Sequence, residues 1–173
     1  ETIKILKEYC FSVWVVDTCP NFKIDRNILE HCSNLTVLAS PATGSTHIDS
    51  DFVKLKKIKY ISIKDRSIIN KIYSSSEHAF ALLLTSVRNI RPGMSSAFSG
   101  DWRKYENDLR TFELSEKKLG LIGFGRIGKN LSKYALSFNM KVGYFDPYQE
   151  TRKRNIIKFK ILKELYRWAD IIS

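Results

Sequence analysis

Gly123-Phe124-Gly125-Arg126-Ile127-Gly128 constrains this chain more than any other stretch. This G-x-G-x-x-G directly follows the apolar run Leu119-Gly120-Leu121-Ile122 and opens a helical pattern. The next apolar run, Met140 to Phe145, closes on Asp146, about 20 residues after the first glycine. Strand, turn, helix, strand and acid, in that order, point to a dinucleotide-binding unit; the alternative, a glycine-rich turn in another α/β protein, leaves Asp146 and the spacing unexplained. Gly123 allows the tight strand-to-helix turn. Gly125 has no Cβ, so a pyrophosphate can approach the backbone. Gly128 lets the helix pack closely. The helix N-terminus then presents free N–H groups and a positive dipole end to the phosphates. A carboxylate at Asp146 is placed to accept hydrogen bonds from ribose hydroxyls.

Other segments repeat the alternation of strand and helix. Phe11 to Val16 reads as a buried strand, Asp25 to Cys32 as a short helix and Leu35 to Ala39 as a second strand. His47 to Lys57 reads as a helix and Tyr60 to Ile63 as a third strand. Such alternation implies right-handed βαβ units and a parallel sheet. Glu77 to Arg91 reads as a long helix with Ser76 as N-cap and Pro92-Gly93 as terminator. Residues 93–116 read as a connecting loop with room for a short helix. Strand and helix then follow from Lys117, with Leu162 to Trp168 helical and Asp170-Ile171-Ile172 opening a further strand. The expected domains are residues 1–75 and 76–173.

A chain of 173 residues removes roughly two-thirds of its unfolded surface from water, enough for a real core. No apolar run approaches the roughly 20 residues needed to span a bilayer. The first residues are not a signal peptide, and the missing initiator Met suggests a start inside a longer chain. Cys10, Cys19 and Cys32 lack C-x-x-C spacing. They read as free thiols of a reducing, cytoplasmic setting rather than as disulfides or metal ligands. Cys10 and Cys32 read as small core residues. The net charge of +11 has two readings: a nucleic-acid partner, or a lysine-rich solvated surface that mildly attracts anionic cofactors and substrates. The lysines are scattered and no basic arm carries interleaved aromatics, which favours the second.

Four stretches together resemble the D-isomer-specific 2-hydroxyacid dehydrogenases, the group of phosphoglycerate dehydrogenase-like enzymes. Ser40-Pro41-Ala42-Thr43-Gly44-Ser45-Thr46-His47-Ile48-Asp49 is similar to the family's substrate loop. Ser75 to Leu84, with Arg88, is similar to its helix signature. Gly100-Asp101-Trp102 is similar to its G-x-W element. Leu119 to Gly128 with Tyr144 to Tyr148 is similar to its cofactor fingerprint.

The resemblance implies an α/β fold of two doubly wound parallel-sheet units. A flavodoxin-like substrate domain would precede a partial NAD-binding Rossmann domain. It implies NAD as cofactor and a hydride transfer to or from a small D-2-hydroxy or 2-keto acid. The backbone at Thr43 and Gly44 would hold the substrate carboxylate, although Gly44 also reads as an ordinary turn glycine. Ser75 would sit near the cofactor phosphates or nicotinamide, or simply start a helix. Gly123, Gly125, Arg126, Ile127 and Gly128 would line the pyrophosphate. Asp146 would hold the adenosine ribose and repel a 2′-phosphate, favouring NAD over NADP. Arg152 and Arg154 lie close enough in sequence to leave that choice open. Trp102 reads either as a cover of the cleft or as a core residue, and Glu77, catalytic-looking in isolation, as a helix-start charge or an interdomain hydrogen-bonding group.

The resemblance also implies that the family's catalytic arginine, glutamate and histidine lie beyond Ser173, and its first strand before Glu1. His31 reads as a helix-end residue and His78 as a packing residue. His47 belongs to the substrate loop, not to the acid/base position. No catalytic residue and no metal ligand is assigned within the chain. The full-length protein would be a homodimer through the cofactor domain, without membrane partners. A second reading keeps the fold and drops the chemistry: a dinucleotide-sensing, corepressor-like binding protein.

Overall fold

A computed structural model describes residues 2–17, 22–101 and 103–173. Cys19 and Trp102 lie outside the described residues. The chain divides into two compact units, Glu1–Lys71 and Ile72–Ser173.

Unit 1 runs α1 (Thr2–Glu8), β1 (Val13–Val15), α2 (Arg26–Leu29), β2 (Val37–Ala39), α3 (Ser50–Leu55), β3 (Lys59–Ile61) and α4 (Arg66–Ile69). Its strands form a parallel sheet in the order β1-β2-β3. Aspartates start three of its helices. Asp25 accepts from the Ile28 N–H at 3.1 Å, Asp49 from Phe52 at 3.0 Å and Asp65 from Ser67 at 2.8 Å. Each satisfies an amide that has no partner inside its own helix. Asp49 therefore starts α3 three residues later than the apolar pattern suggested, and His47 lies ahead of the helix.

The register places Trp14, Leu38 and Tyr60 side by side. That row faces a core of Ile24, Leu29, Leu38, Phe52 and Val53. The opposite face is open, which corrects the expectation of a buried first strand: Val13 and Val15 are exposed. An apolar run on both faces of a strand reads as buried, but among the described residues only one face of β1 is covered. Cys32 is buried as expected, whereas Cys10, in the connection after α1, is exposed. Helix α1 itself, which buries Leu6, had no clear signal in the sequence.

Unit 2 runs α5 (Ser74–Val87), α6 (Ile90–Phe98), α7 (Glu106–Leu109), β4 (Lys118–Ile122), α8 (Arg126–Ser137), β5 (Lys141–Phe145), β6 (Ile156–Phe159), α9 (Leu162–Trp168) and β7 (Ile171–Ile172). Its parallel sheet has the order β6-β5-β4-β7. Leu119, Leu121, Val142 and Tyr144 pack with Leu131 and Ala135 of α8. Helix α5 packs on α8 through Phe80, whose ring meets Tyr134 at 5.7 Å and Phe138 at 5.1 Å. Helix α9 covers the other face.

Two expectations for α5 fail. Ser76 is not its N-cap: the helix starts three residues earlier, and the buried Ser76 hydroxyl donates to the Tyr73 carbonyl at 2.7 Å. Pro92-Gly93 does not end it either. The chain turns at Asn89, which adopts a left-handed conformation (φ +47°). Pro92 then sits in the first turn of α6, where a missing N–H costs no helical bond. Residues 93–116 are accordingly more helical than a loop, carrying most of α6 and all of α7.

Candidate functional site

The site is built where β4 gives way to α8. Gly123 takes φ +96°, a conformation that side chains rarely adopt. Its N–H donates to the Phe145 carbonyl at 2.8 Å, so the turn starts while still bonded to β5. Phe124 turns inward and stacks on Tyr144 with ring centroids 4.1 Å apart. Gly125 then precedes α8 with no side chain capping the helix. The amides of the first helical turn have no intrahelical acceptors. A Cβ built on Gly128 would lie 2.4 Å from the Gly123 carbonyl oxygen, so only glycine lets α8 start this close to the turn.

Asp146 braces the same turn. Its Oδ2 accepts from the Phe124 N–H at 2.7 Å. Its Oδ1 accepts from the Tyr148 and Gln149 N–H groups at 2.8 and 3.1 Å. These bonds, the one from Phe124 foremost, hold its carboxyl below the usual carboxylate range. The carboxylate thus joins the end of β5 to the glycine turn. Sequence reasoning gave it only the ribose. An ionised carboxylate has about four lone-pair sites, so three amides do not exhaust it.

Arg126, the first residue of α8, donates from Nη1 to the Ile72 carbonyl. That bond draws the approach to α5 toward the glycine turn. Ser75 is exposed in the first turn of α5, three residues further on. Over the turn lies a cavity of about 400 Å³, lined by Ile122, Gly123, Gly125, Arg126, Ile127 and Gly128, among others. The structure thus brings the five predicted loop residues together and ties Asp146 to them through the Phe124 amide. The arrangement fits a dinucleotide pyrophosphate. A Cβ at Gly125 would meet nothing within 4 Å, so space lies open over uncapped amides.

Thr43 and Gly44 belong to unit 1, in the connection from β2 to α3. Both are exposed. The Gly44 carbonyl accepts from the Tyr60 hydroxyl at 3.4 Å, and a Cβ on Gly44 would meet nothing. Gly44 is not among the residues with positive φ. Behind this loop the buried Ser40 hydroxyl lies 3.3 Å from Nε2 of His47. His78 is exposed on α5, not packed as expected, because its helix turns Phe80 and Leu83 inward instead. His31 is half-buried just after α2. Glu77 is exposed in the first turn of α5. Burial pushes the Cys32 thiol up, away from nucleophilic use. No cluster of metal-ligating side chains occurs among the described residues. No described helix is long and apolar enough to cross a membrane.

Sequence reasoning missed two lysines beside the Asp146 turn. Lys129 of α8 donates to Gln149 Oε1 at 2.8 Å. Lys158 of β6 pairs with Glu150. The second needed β6, which the short, charged surroundings of Ile156-Ile157 concealed.

Residues 80–173 match the family described as D-isomer specific 2-hydroxyacid dehydrogenase, NAD binding domain. The chain is 34% identical over 173 residues to the hydroxypyruvate reductase of Thermotoga maritima, covering 100% of this chain and 53% of that protein. It is 29% identical over 160 residues to the glyoxylate reductase of Pyrococcus furiosus, covering 87% and 46%. Among solved structures, D-lactate dehydrogenase from Aquifex aeolicus, complexed with NAD and lactic acid, matches with a TM-score of 0.79 at 27% identity. That match covers 99% of this chain and 49% of the other. The chain spans about half the length of the relatives it matches. With more than half of its residues inside the family's NAD-binding domain, this chain belongs to the D-isomer specific 2-hydroxyacid dehydrogenases.

Proposed function

We propose that this chain is part of an NAD-dependent oxidoreductase that transfers a hydride between the nicotinamide cofactor and a small D-2-hydroxy or 2-keto acid. The observation that carries the reading is the glycine turn, uncapped at α8 and braced by Asp146 under an open cavity. Bound there, the dinucleotide supplies the hydride, and the protein supplies binding and orientation. The amides following Gly125 hold the pyrophosphate. The Arg126 guanidinium adds positive charge, and Ser75 stands at the approach from α5. Asp146 accepts the ribose hydroxyls and disfavours a 2′-phosphate. Residues 1–75 act as the substrate domain, with the Thr43 and Gly44 backbone at the substrate carboxylate, and residues 76–173 as the cofactor domain.

The names of the relatives support the substrate class: glyoxylate, hydroxypyruvate and lactate are small 2-keto or 2-hydroxy acids. The residues that exchange the substrate proton are assigned to the part of the protein beyond Ser173. We also assign the full-length enzyme to the cytoplasm, as a homodimer. The apolar stripe Ile90, Met94 and Phe98, exposed at four-residue spacing on α6, supports association through the cofactor domain.

The test is a fluorescence titration of the chain with NADH and NADPH. NADH should bind and should bind more tightly. Asp146→Ala should narrow the difference by roughly an order of magnitude, as expected for removal of one close charge. The complete gene product should reduce glyoxylate or hydroxypyruvate with NADH, whereas residues 1–173 alone should turn over neither. Failure of the chain to bind NADH, or keto-acid reduction by residues 1–173 alone, overturns the assignment.

A further inference from the structure

Beside the Asp146 turn the structure holds a cation, Lys158, that lies outside the glycine-and-acid motif. Lys158 pairs in register with Tyr144 across β5 and β6. Residues paired in a sheet share a face, and so do residues two apart on one strand. Lys158 and Tyr144 therefore lie on one face, near the end of β5 that leads into Asp146. The Lys158 side chain is 27% exposed, and its Nζ lies 2.5 Å from Oε1 of Glu150, which is 79% exposed. Glu150 is held there by its own connection. The Tyr144 hydroxyl donates to the Gln149 carbonyl at 3.3 Å, and Gln149 donates in turn to Asp146. The bond to Glu150 raises the Lys158 pKa, and the charge of Asp146 adds to it in the same direction.

We propose that Glu150 sets the selectivity of this site against a 2′-phosphorylated dinucleotide by engaging Lys158, which would otherwise face that phosphate. The inference rests on the dinucleotide reading above and adds to it. Asp146 repels the 2′-phosphate directly. Glu150 acts through Lys158, by occupying the nearby cation that could offset the repulsion. With Glu150 in place, the two carboxylates of Asp146 and Glu150 offset the two ammonium groups of Lys158 and Lys129. With Glu150 neutral, the two ammonium groups outnumber the Asp146 carboxylate, and Lys158 is released toward a phosphate dianion. Lys129 donates to the neutral Gln149 side chain, so neutralising Glu150 does not remove its partner.

The test uses the full chain and reads the ratio of the NADPH and NADH dissociation constants from nicotinamide fluorescence. In Glu150→Gln the ratio should shift about threefold toward NADPH, as a solvent-exposed charge pair allows. Adding Lys158→Met to that variant should return the ratio to that of the unaltered chain. An unchanged ratio in Glu150→Gln overturns the proposal. So does a shift that survives in the double variant, because the gain would then come from loss of the Glu150 charge alone. If the unaltered chain binds neither dinucleotide, the underlying reading fails and the selectivity claim falls with it. That outcome is visible before any variant is made.

Discussion

Val13-Trp14-Val15-Val16-Asp17 in unit 1 and Val142-Gly143-Tyr144-Phe145-Asp146 in unit 2 are both apolar runs closing on an aspartate. Yet Val13 and Val15 are 53% and 70% exposed, while Val142 and Tyr144 are 1% and 0% exposed. The difference lies in what covers the second face. β5 is flanked by β4 and β6, with α8 on one face and α9 on the other. β1 lies at the edge of its sheet and turns only the Trp14 side to a core. Apolar character alone does not separate the two cases; glycine does. A Cβ on Gly143 would lie 2.7 Å from the Phe159 ring and 2.8 Å from the Trp168 ring. On neighbouring β4, a Cβ on Gly120 would lie 2.7 Å from Ile172 and 2.8 Å from Ala169. These two glycines, adjacent in register, leave the depression that α9 fills.

The largest expected effect breaks that depression. Gly143→Val forces a branched side chain into two aromatic rings and should cost about 3 kcal/mol, the upper end for overpacking a filled core. Urea unfolding measures it. A cost below about 1 kcal/mol would mean that α9 shifts aside easily and that the second face of β5 is not closely packed.

What could be read in advance follows the same division. The glycine turn, β4, α8 and β5 were legible because each depends on neighbours close in sequence: a turn that only glycine makes, an uncapped helix start, an acid at the strand end. Asp146 was legible as a functional position, but its bonds to Phe124, Tyr148 and Gln149 were not, because a carboxylate facing amides leaves the same letter in the sequence as one facing a ribose. The end of α5 was misplaced because Pro92-Gly93 is a strong breaker signal. The turn was made by Asn89, whose tolerance of a left-handed backbone is a weaker one. Exposure of Val13, Val15 and Cys10 was not legible at all, because a residue's own identity does not state what packs over it. The Lys158–Glu150 pair joins side chains eight residues apart and exists only once β6 lies beside β5.

A smaller effect should appear at Asp146, where β5 meets the glycine turn. Its carboxyl is held below its ordinary value, chiefly by the Phe124 N–H and then by those of Tyr148 and Gln149. A depressed carboxyl stabilises the fold fully above its unfolded pKa of about 3.9. That contribution is lost as the pH falls through the lower, folded value. Asp146→Asn should therefore lower the melting temperature near neutral pH, and the gap to the unaltered chain should close as the pH drops below about 4. Thermal melts across that range test it. A gap that stays constant would place the stabilising bonds elsewhere than on the ionised carboxylate.

The smallest effect belongs to β1. Val15→Thr keeps a β-branched shape and the strand preference that goes with it. Its hydroxyl would stand on a face already 70% exposed, so water satisfies it and no buried polar group is created. The expected cost is below about 0.5 kcal/mol, the usual range for a surface change. Urea unfolding at two protein concentrations is the informative measurement. A cost above about 1 kcal/mol would mean that the outer face of β1 is dry in solution. Concentration dependence would then identify a second copy of the chain as its cover, and β1 would rejoin β5 as a strand buried on both faces.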